Sequence, residues 1–399
     1  MAETPLSASP SPAGLASAED GQDPRLVAVL RLVLIAAQAA TILLTWPVWQ
    51  VRELPPLLPL LPVPQGDAGW LLLAWLAVAA VRPRIGVPAH SLALVWAILA
   101  DQCRMQPHVI SLTTLLWGTS GWRGGVVVMR AALVATWFYA GLHKLVSPDY
   151  YVISGPWLLR GVWPDGPPGL AAPLAAAVAV TEISLGLGAV LPRCRAAVGA
   201  AATAFHVATF LVLAFRLHWD RPVWPWNLAL ACAAPLILWS WRGPTLGASW
   251  REAPRGARGV AAALLLLPLG YWLGVVDAFL AHAIYSDDKP RAFVCTPFSR
   301  TDVNRICDRH GVVLPPAHRL FAPFFLGIGR PGEWLEVEDP RWIARVRGFD
   351  RRTIPWNDLL PAAGPAAGVR SSGRCRASGA DRRILRRQDA CGSTRPEGE

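Results

Sequence analysis

Of the 38 basic residues in this chain, only Lys144 and Lys289 are lysines. Lys144 closes an apolar stretch that reads Trp137-Phe138-Tyr139-Ala140-Gly141-Leu142-His143-Lys144-Leu145. Arginine stays charged in proteins, whereas a desolvated lysine can approach neutrality and take a proton. Lys144 is therefore a candidate catalytic base. The competing role is a lysine that snorkels to a membrane interface. His108 is the second candidate, because an imidazole can give or take a proton near neutral pH. His143, Glu182, His206 and Asp101 lie in or beside apolar stretches and are candidates to support those two. Charged groups at membrane depth are rare and mark function or internal pairing. Glu182 fits either a site role or structural pairing with an arginine. His206, alone on an apolar face, fits a hydrogen-bonded packing role or a ligand role. Arg31, Arg216 and Asp277 fall near the ends of apolar stretches, where they can snorkel or pair.

Other chemistries leave no trace. There is no H-E-x-x-H, C-x-x-C, Walker loop or G-x-S-x-G in the chain. His310 and His318 are too far apart for a zinc finger, so no metal site is expected from spacing.

The elements that must position these residues follow from composition. The 399 residues are 53% hydrophobic and 16% charged. Soluble domains carry about 25% charged residues. The mean hydropathy is +0.34. Long apolar runs recur, which excludes a disordered chain, a coiled coil and an ordinary soluble enzyme. Candidate spans are 26–47, 67–81, 86–101, 107–119, 124–146, 170–191, 195–217, 223–241 and 258–283. The fourth can instead be re-entrant, so the count is eight or nine. The expected fold is all-α: a polytopic transmembrane bundle of about nine helices over 25–284, with a small extramembrane appendage at 285–361. Lipid supplies no partner for an open backbone, which requires helices here.

The net charge of +11 sits in short loops and a basic tail, with no basic face carrying interleaved aromatics, so nucleic acid is not an expected partner. With nine spans and a cytoplasmic N-terminus, the inner loops carry ten arginines and the outer loops five. Eight spans remove that contrast. Nine spans place the C-terminus outside, and a bacterial inner membrane fits the arginine bias and compact loops. Residues 1–24 lack Lys and Arg and read as a disordered leader, not a signal peptide. Residues 362–399, with eight arginines among Gly, Ser and Ala, read as a disordered tail. Cys295 and Cys307 can pair if the appendage is extracytoplasmic, or remain free thiols.

Four segments, in order, resemble the HTTM domain, the membrane domain of vitamin K-dependent gamma-carboxylase and its bacterial relatives. Tyr139-Ala140-Gly141-Leu142-His143-Lys144-Leu145 is similar to the family's Ala-Gly-Val-Lys-Lys-Leu, with Lys144 on the second lysine and His143 replacing the first. Asp101 to His108 resembles the family's Asp-to-His segment at the same spacing, with Met-Gln-Pro where the family has Trp-Asn-Asn. Glu182 before Leu185-Gly186-Leu187-Gly188 resembles the acidic residue and small-residue run one helix later, and Phe205-His206 an aromatic-His pair in the next. His282-Ala283-Ile284-Tyr285 is similar to a motif in bacterial HTTM-like proteins. The resemblance covers residues 25–283. It implies nine spans, Lys144 as the base that deprotonates a reduced quinone, and His108 near the reacting oxygen. The family's large lumenal substrate domain has no counterpart, since only about 75 residues of mixed composition follow the bundle. That departure puts peptide carboxylation in doubt.

The leading expectation is an integral membrane enzyme using a desolvated lysine on a quinol-like lipid, with a reduced quinone as substrate. The alternative is a non-enzymatic membrane protein that binds lipid or quinone, or partners a redox system in the manner of DoxX or MauE proteins. A transporter ranks last, because no inverted repeat or matched pair of broken helices is visible.

Overall fold

The structure is a computed structural model that describes residues 23–238 and 246–359. The expected leader and tail lie outside the described residues, apart from Asp23 and Pro24. Those two open the first helix, Pro24–Leu44. Asp23 accepts a hydrogen bond from the Arg25 amide at 2.8 Å, and Pro24 takes the first-turn position where a missing N–H does no harm.

Five helices are long and apolar enough to cross a membrane: Pro24–Leu44, Pro83–Ala100, Gly125–Val146, Pro168–Val190 and Pro192–Arg216. They make this an integral membrane protein. Ala68–Val81 and Val223–Leu238 are shorter apolar helices. The Gly125–Val146 helix is central, with 72% of its apolar window buried against 33–39% in the other four. It packs along the helix Ala171–Val190, the segment that carries Glu182.

Two expected spans are shorter than the sequence reading. Pro107–Leu116 is a ten-residue helix continued by a 3-10 turn to Thr119. The last span, read as 258–283, is helical only over Arg255–Leu266. Twelve residues rise about 18 Å, short of the ~30 Å hydrocarbon core. Pro268 then enters a 3-10 turn at Leu267–Tyr271, and Gly274 takes φ +75° in the turns that follow. Proline and glycine punctuation ends the helix where hydropathy alone extends it.

The all-α expectation needs correction at the appendage. Residues 291–355 hold a four-stranded antiparallel sheet, β1 (Arg291–Thr296), β2 (Ser299–Asp302), β3 (Trp334–Glu338) and β4 (Arg351–Pro355), in the order β2-β1-β3-β4. The inner strand β3 alternates in the way a one-sided sheet requires. Leu335 and Val337 point to the core, where Phe321, Phe324 and Phe325 of the helix His318–Ile328 are buried. Glu336 and Glu338 face the other way and pair with Arg300 of β2 and Arg351 of β4 at 2.7–3.1 Å. Strands of four to six residues among arginines and prolines give little signal against the helical background. Cys295 lies on β1 and Cys307 in the helix Val303–Asp308; both are buried free thiols.

The appendage caps one end of the bundle. Gly311 packs on Pro47 and Gly327 on Pro56. Arg319 donates to Gln102 at 2.9 Å and pairs with Asp277. The segment leading into β1 meets the same end, where Ser154 donates to Asp287 at 2.7 Å and Tyr285 to Asp220 at 2.8 Å.

Candidate functional site

The site starts from two glycines. A Cβ on Gly141 would lie 2.5 Å from the Ala179 carbonyl oxygen, and one on Gly186 would lie 2.8 Å from the Phe138 nitrogen. Each glycine therefore lets the backbone of the facing helix approach, which is how small residues bring membrane helices together. The two helices are in near contact over two turns, and Lys144 and Glu182 meet across the seam. Lys144 Nζ lies 2.5 Å from Glu182 Oε2, with the side chains 6% and 11% exposed. Lys144 does not snorkel. Glu182 pairs with this lysine and not with an arginine. The same two heavy atoms can hold an ammonium and a carboxylate or, with one proton moved across the contact, an amine and a carboxylic acid.

Aromatic residues of other segments stand beside the pair and in a row behind it. The ring of Tyr285 is centred 6.0 Å from Lys144 Nζ. Trp219 stands 5.8 Å from Tyr285, and Trp157 stands 5.0 Å from Trp219. Tyr150, 2% exposed, lies in the turn after the Lys144 helix.

His108 sits in the first turn of Pro107–Leu116 and is 6% exposed. Among the described residues neither of its ring nitrogens has a hydrogen-bond partner, and its ring meets that of Trp226 at 5.3 Å. Buried polar groups are ordinarily bonded, so this imidazole stands out. His108 and Lys144 make no hydrogen bond to each other. A line of rings runs from His108 through Trp226 to His206, 6.0 Å further on, and then to Trp137 on the Lys144 helix.

His206 is fully bonded. The Trp137 indole donates to its Nε2 at 2.9 Å, and its Nδ1 lies 2.9 Å from Asn227 Oδ1. An indole N–H only donates, so Nε2 accepts and the proton is on Nδ1. His206 thus ties three helices as a neutral imidazole, the packing role. His143 turns away from the Lys144–Glu182 pair. It is buried against Tyr271 at 4.8 Å and Trp272 at 4.4 Å, next to the Ala281 backbone.

Asp101 is not with Lys144. It is fully buried at a helix junction, where it caps the turn Gln102–Arg104, accepts from the Leu58 and Cys103 amides and pairs with Arg52 at 2.7 Å. Arg104, also fully buried, donates to the carbonyls of Val48, Gln50 and Gly66. Together they staple the proline-rich 50–66 loop to the bundle. The structure therefore joins Lys144 to Glu182, links His108 to His206 through Trp226, and leaves His143 and Asp101 in separate surroundings.

Sequence reasoning missed a buried polar node. Gln38 Nε2 lies 2.7 Å from both His90 Nε2 and Thr113 Oγ1, and His90 Nδ1 lies 3.1 Å from the Leu72 carbonyl. Histidine and glutamine at apolar-helix positions are the signal that could have found it. Asp220 was missed as a partner of Tyr285, because nothing in the spacing of 220 and 285 joins them.

Among the described residues no cluster of His, Cys, Asp or Glu is arranged to hold a metal ion. In comparisons with family models, curated proteins and solved structures, none matches this chain. Fold and site together define a class: an integral membrane helical protein with a capped, polar, lysine-containing centre.

Proposed function

We propose that this chain is an HTTM-like membrane protein whose Lys144–Glu182 pair does acid–base work on a reduced, quinone-like lipid. The observation that carries the reading is the burial of Lys144 in a 2.5 Å contact with Glu182 on a neighbouring helix. Passing the proton to Glu182 leaves a neutral amine without creating net charge in a low-dielectric interior, which is what a lysine base requires. The substrate chemistry that suits it is an acidic hydroxyl on a planar ring, entering where Trp219 and Tyr285 supply aromatic walls. His108, buried and unpartnered, is suited to hydrogen-bond a substrate oxygen.

The nine-segment arrangement with the C-terminus outside belongs to this reading. The appendage touches the bundle at Pro47, Pro56, Gln102, Ser154 and Asp220, all of which follow odd-numbered segments. An odd count brings the chain out at that end. The arginine-rich loops lie at the other, which fits a cytoplasmic N-terminus in a bacterial inner membrane.

The test is epoxide formation. Purified protein in nanodiscs receives a reduced naphthoquinone and oxygen, and products are read by mass spectrometry. Epoxide from the wild type and none from Lys144→Ala is the expected result. Equal product from the two proteins sinks the proposal.

A second reading has its own support. The satisfied Lys144–Glu182 pair and the fully bonded His206 are also what a purely structural bundle would contain. On that reading the chain binds a lipid or quinone, or partners a redox system, without turnover. Tight quinone binding by folded protein that yields no product would favour it.

A further inference from the structure

Two tight turns meet beside the Lys144–Glu182 pair. His218 (φ +47°) and Asp220 (φ +50°) lie in the turn that leaves the Pro192–Arg216 span, and His282 (φ +61°) lies in the turn before Tyr285. Among the described residues these three are the non-glycine positions with positive φ. Side chains avoid that region, and such residues persist where surrounding contacts hold them. Here the holding contact is visible. The Tyr285 hydroxyl donates to Asp220 Oδ2 at 2.8 Å, and Trp219, between the two strained residues, packs its ring 5.8 Å from Tyr285.

The same stretch is pinned at two further points. Ser154 donates to Asp287 at 2.7 Å, and the Lys289 amine donates to the Ile284 carbonyl. Both lysines of the chain thus lie against residues 284–289. Lys289 holds the stretch from within, and Lys144 faces the Tyr285 ring at 6.0 Å. Trp219 is 43% exposed whereas Lys144 is 5% exposed, so the row Trp219–Tyr285–Lys144 runs from the surface inward.

We infer that Tyr285 is the wall that closes the Lys144–Glu182 site and that Asp220 is its positioning residue. The hydrogen bond between them joins two turns that are far apart in sequence, and releasing it opens the Lys144 amine to a ligand arriving past Trp219. The inference deepens the reading of Lys144 as a working amine and rests on that reading for its meaning. Its test needs no turnover, so the two can fail separately.

The two-lysine composition supplies the assay. An amine-reactive ester added to detergent-solubilised full-length protein can acylate Lys144, Lys289 and the N-terminal amine, and mass spectrometry resolves all three. In the wild type, Lys144 should react far more slowly than the N-terminal amine. Tyr285→Phe and Asp220→Ala should each raise the Lys144 rate about tenfold, the change in an opening equilibrium produced by losing one hydrogen bond. The double variant should add nothing further, because both substitutions remove the same bond. Asp220→Asn keeps an acceptor oxygen and should stay close to the wild-type rate, which separates positioning from general loosening of the fold. Helical circular dichroism, compared across the variants, checks that each has folded. Unchanged Lys144 labelling in folded Tyr285→Phe and Asp220→Ala proteins overturns the inference. So does wild-type labelling of Lys144 as fast as the N-terminal amine, or a gain in Asp220→Asn equal to that in Asp220→Ala.

Discussion

A methyl group on Gly141 would stand 2.9 Å from the Cβ of Glu182. The glycine one turn before the lysine is thus what lets the helix carrying the acid come close enough to pair with it. Sequence, packing and site are joined at this one position.

Gly141→Ala should force the two helices apart. Overpacking of this kind costs about 1–3 kcal/mol, and here it also lengthens the Lys144–Glu182 contact. A lowered unfolding midpoint in detergent, with a matching loss of any lysine-dependent product, is the expected outcome. Wild-type stability would mean that the seam is looser than the geometry indicates.

Removing one member of the buried pair should be worse than removing both. Lys144→Ala or Glu182→Ala leaves an uncompensated charge and should destabilise by about 3–5 kcal/mol. Lys144→Met combined with Glu182→Leu replaces the pair with apolar volume and should restore most of that loss. A double-mutant cycle read by denaturation measures the difference. Additive effects would show that the two residues do not interact.

The His206 ring should be locked in one tautomer. With Trp137 donating to Nε2, nitrogen NMR of labelled histidine should show the proton on Nδ1 near neutral pH. Asn227→Leu removes the partner of that proton and should destabilise by about 1–3 kcal/mol. An imidazolium signature at His206 would contradict the hydrogen-bond pattern.

The appendage should loosen in acid through Asp339. Burial alone would raise its carboxyl, but hydrogen bonds from His318 at 2.7 Å and Arg341 at 2.7 Å outweigh burial and hold it below its ordinary 3.8. A lowered value in the folded state stabilises the fold fully above the ordinary value. The contribution disappears as pH falls through the lowered one. Protection of the amides of residues 334–346, taken relative to their intrinsic exchange rates at each pH, should therefore fall below about pH 4 in the wild type. Asp339→Asn should exchange faster already at neutral pH, with a weaker acid response. Identical pH profiles for the two proteins would remove Asp339 from the account.

Much of the bundle was legible because the membrane imposes a simple rule. Runs such as 26–47 and 124–146 are read directly from hydropathy, and the structure places helices there. The last span was over-read, since hydropathy does not register that Pro268 and Gly274 break the backbone. The sheet was missed, since strands such as Trp334–Glu338 carry only five residues of alternation.

The sequence by itself determined an integral membrane helical protein, and its two-lysine composition singled out Lys144. It left open whether that lysine snorkels, because one-dimensional spacing carries no information about which helices touch. Only the tertiary structure decided that Gly141 and Gly186 bring two helices together, that Glu182 receives Lys144, and that Asp101 serves a distant junction. Partners 38, 65 and 69 residues apart, at Lys144–Glu182, Asp220–Tyr285 and Trp137–His206, are chosen by packing. Their pairing energy exists only once the backbones have closed the distance.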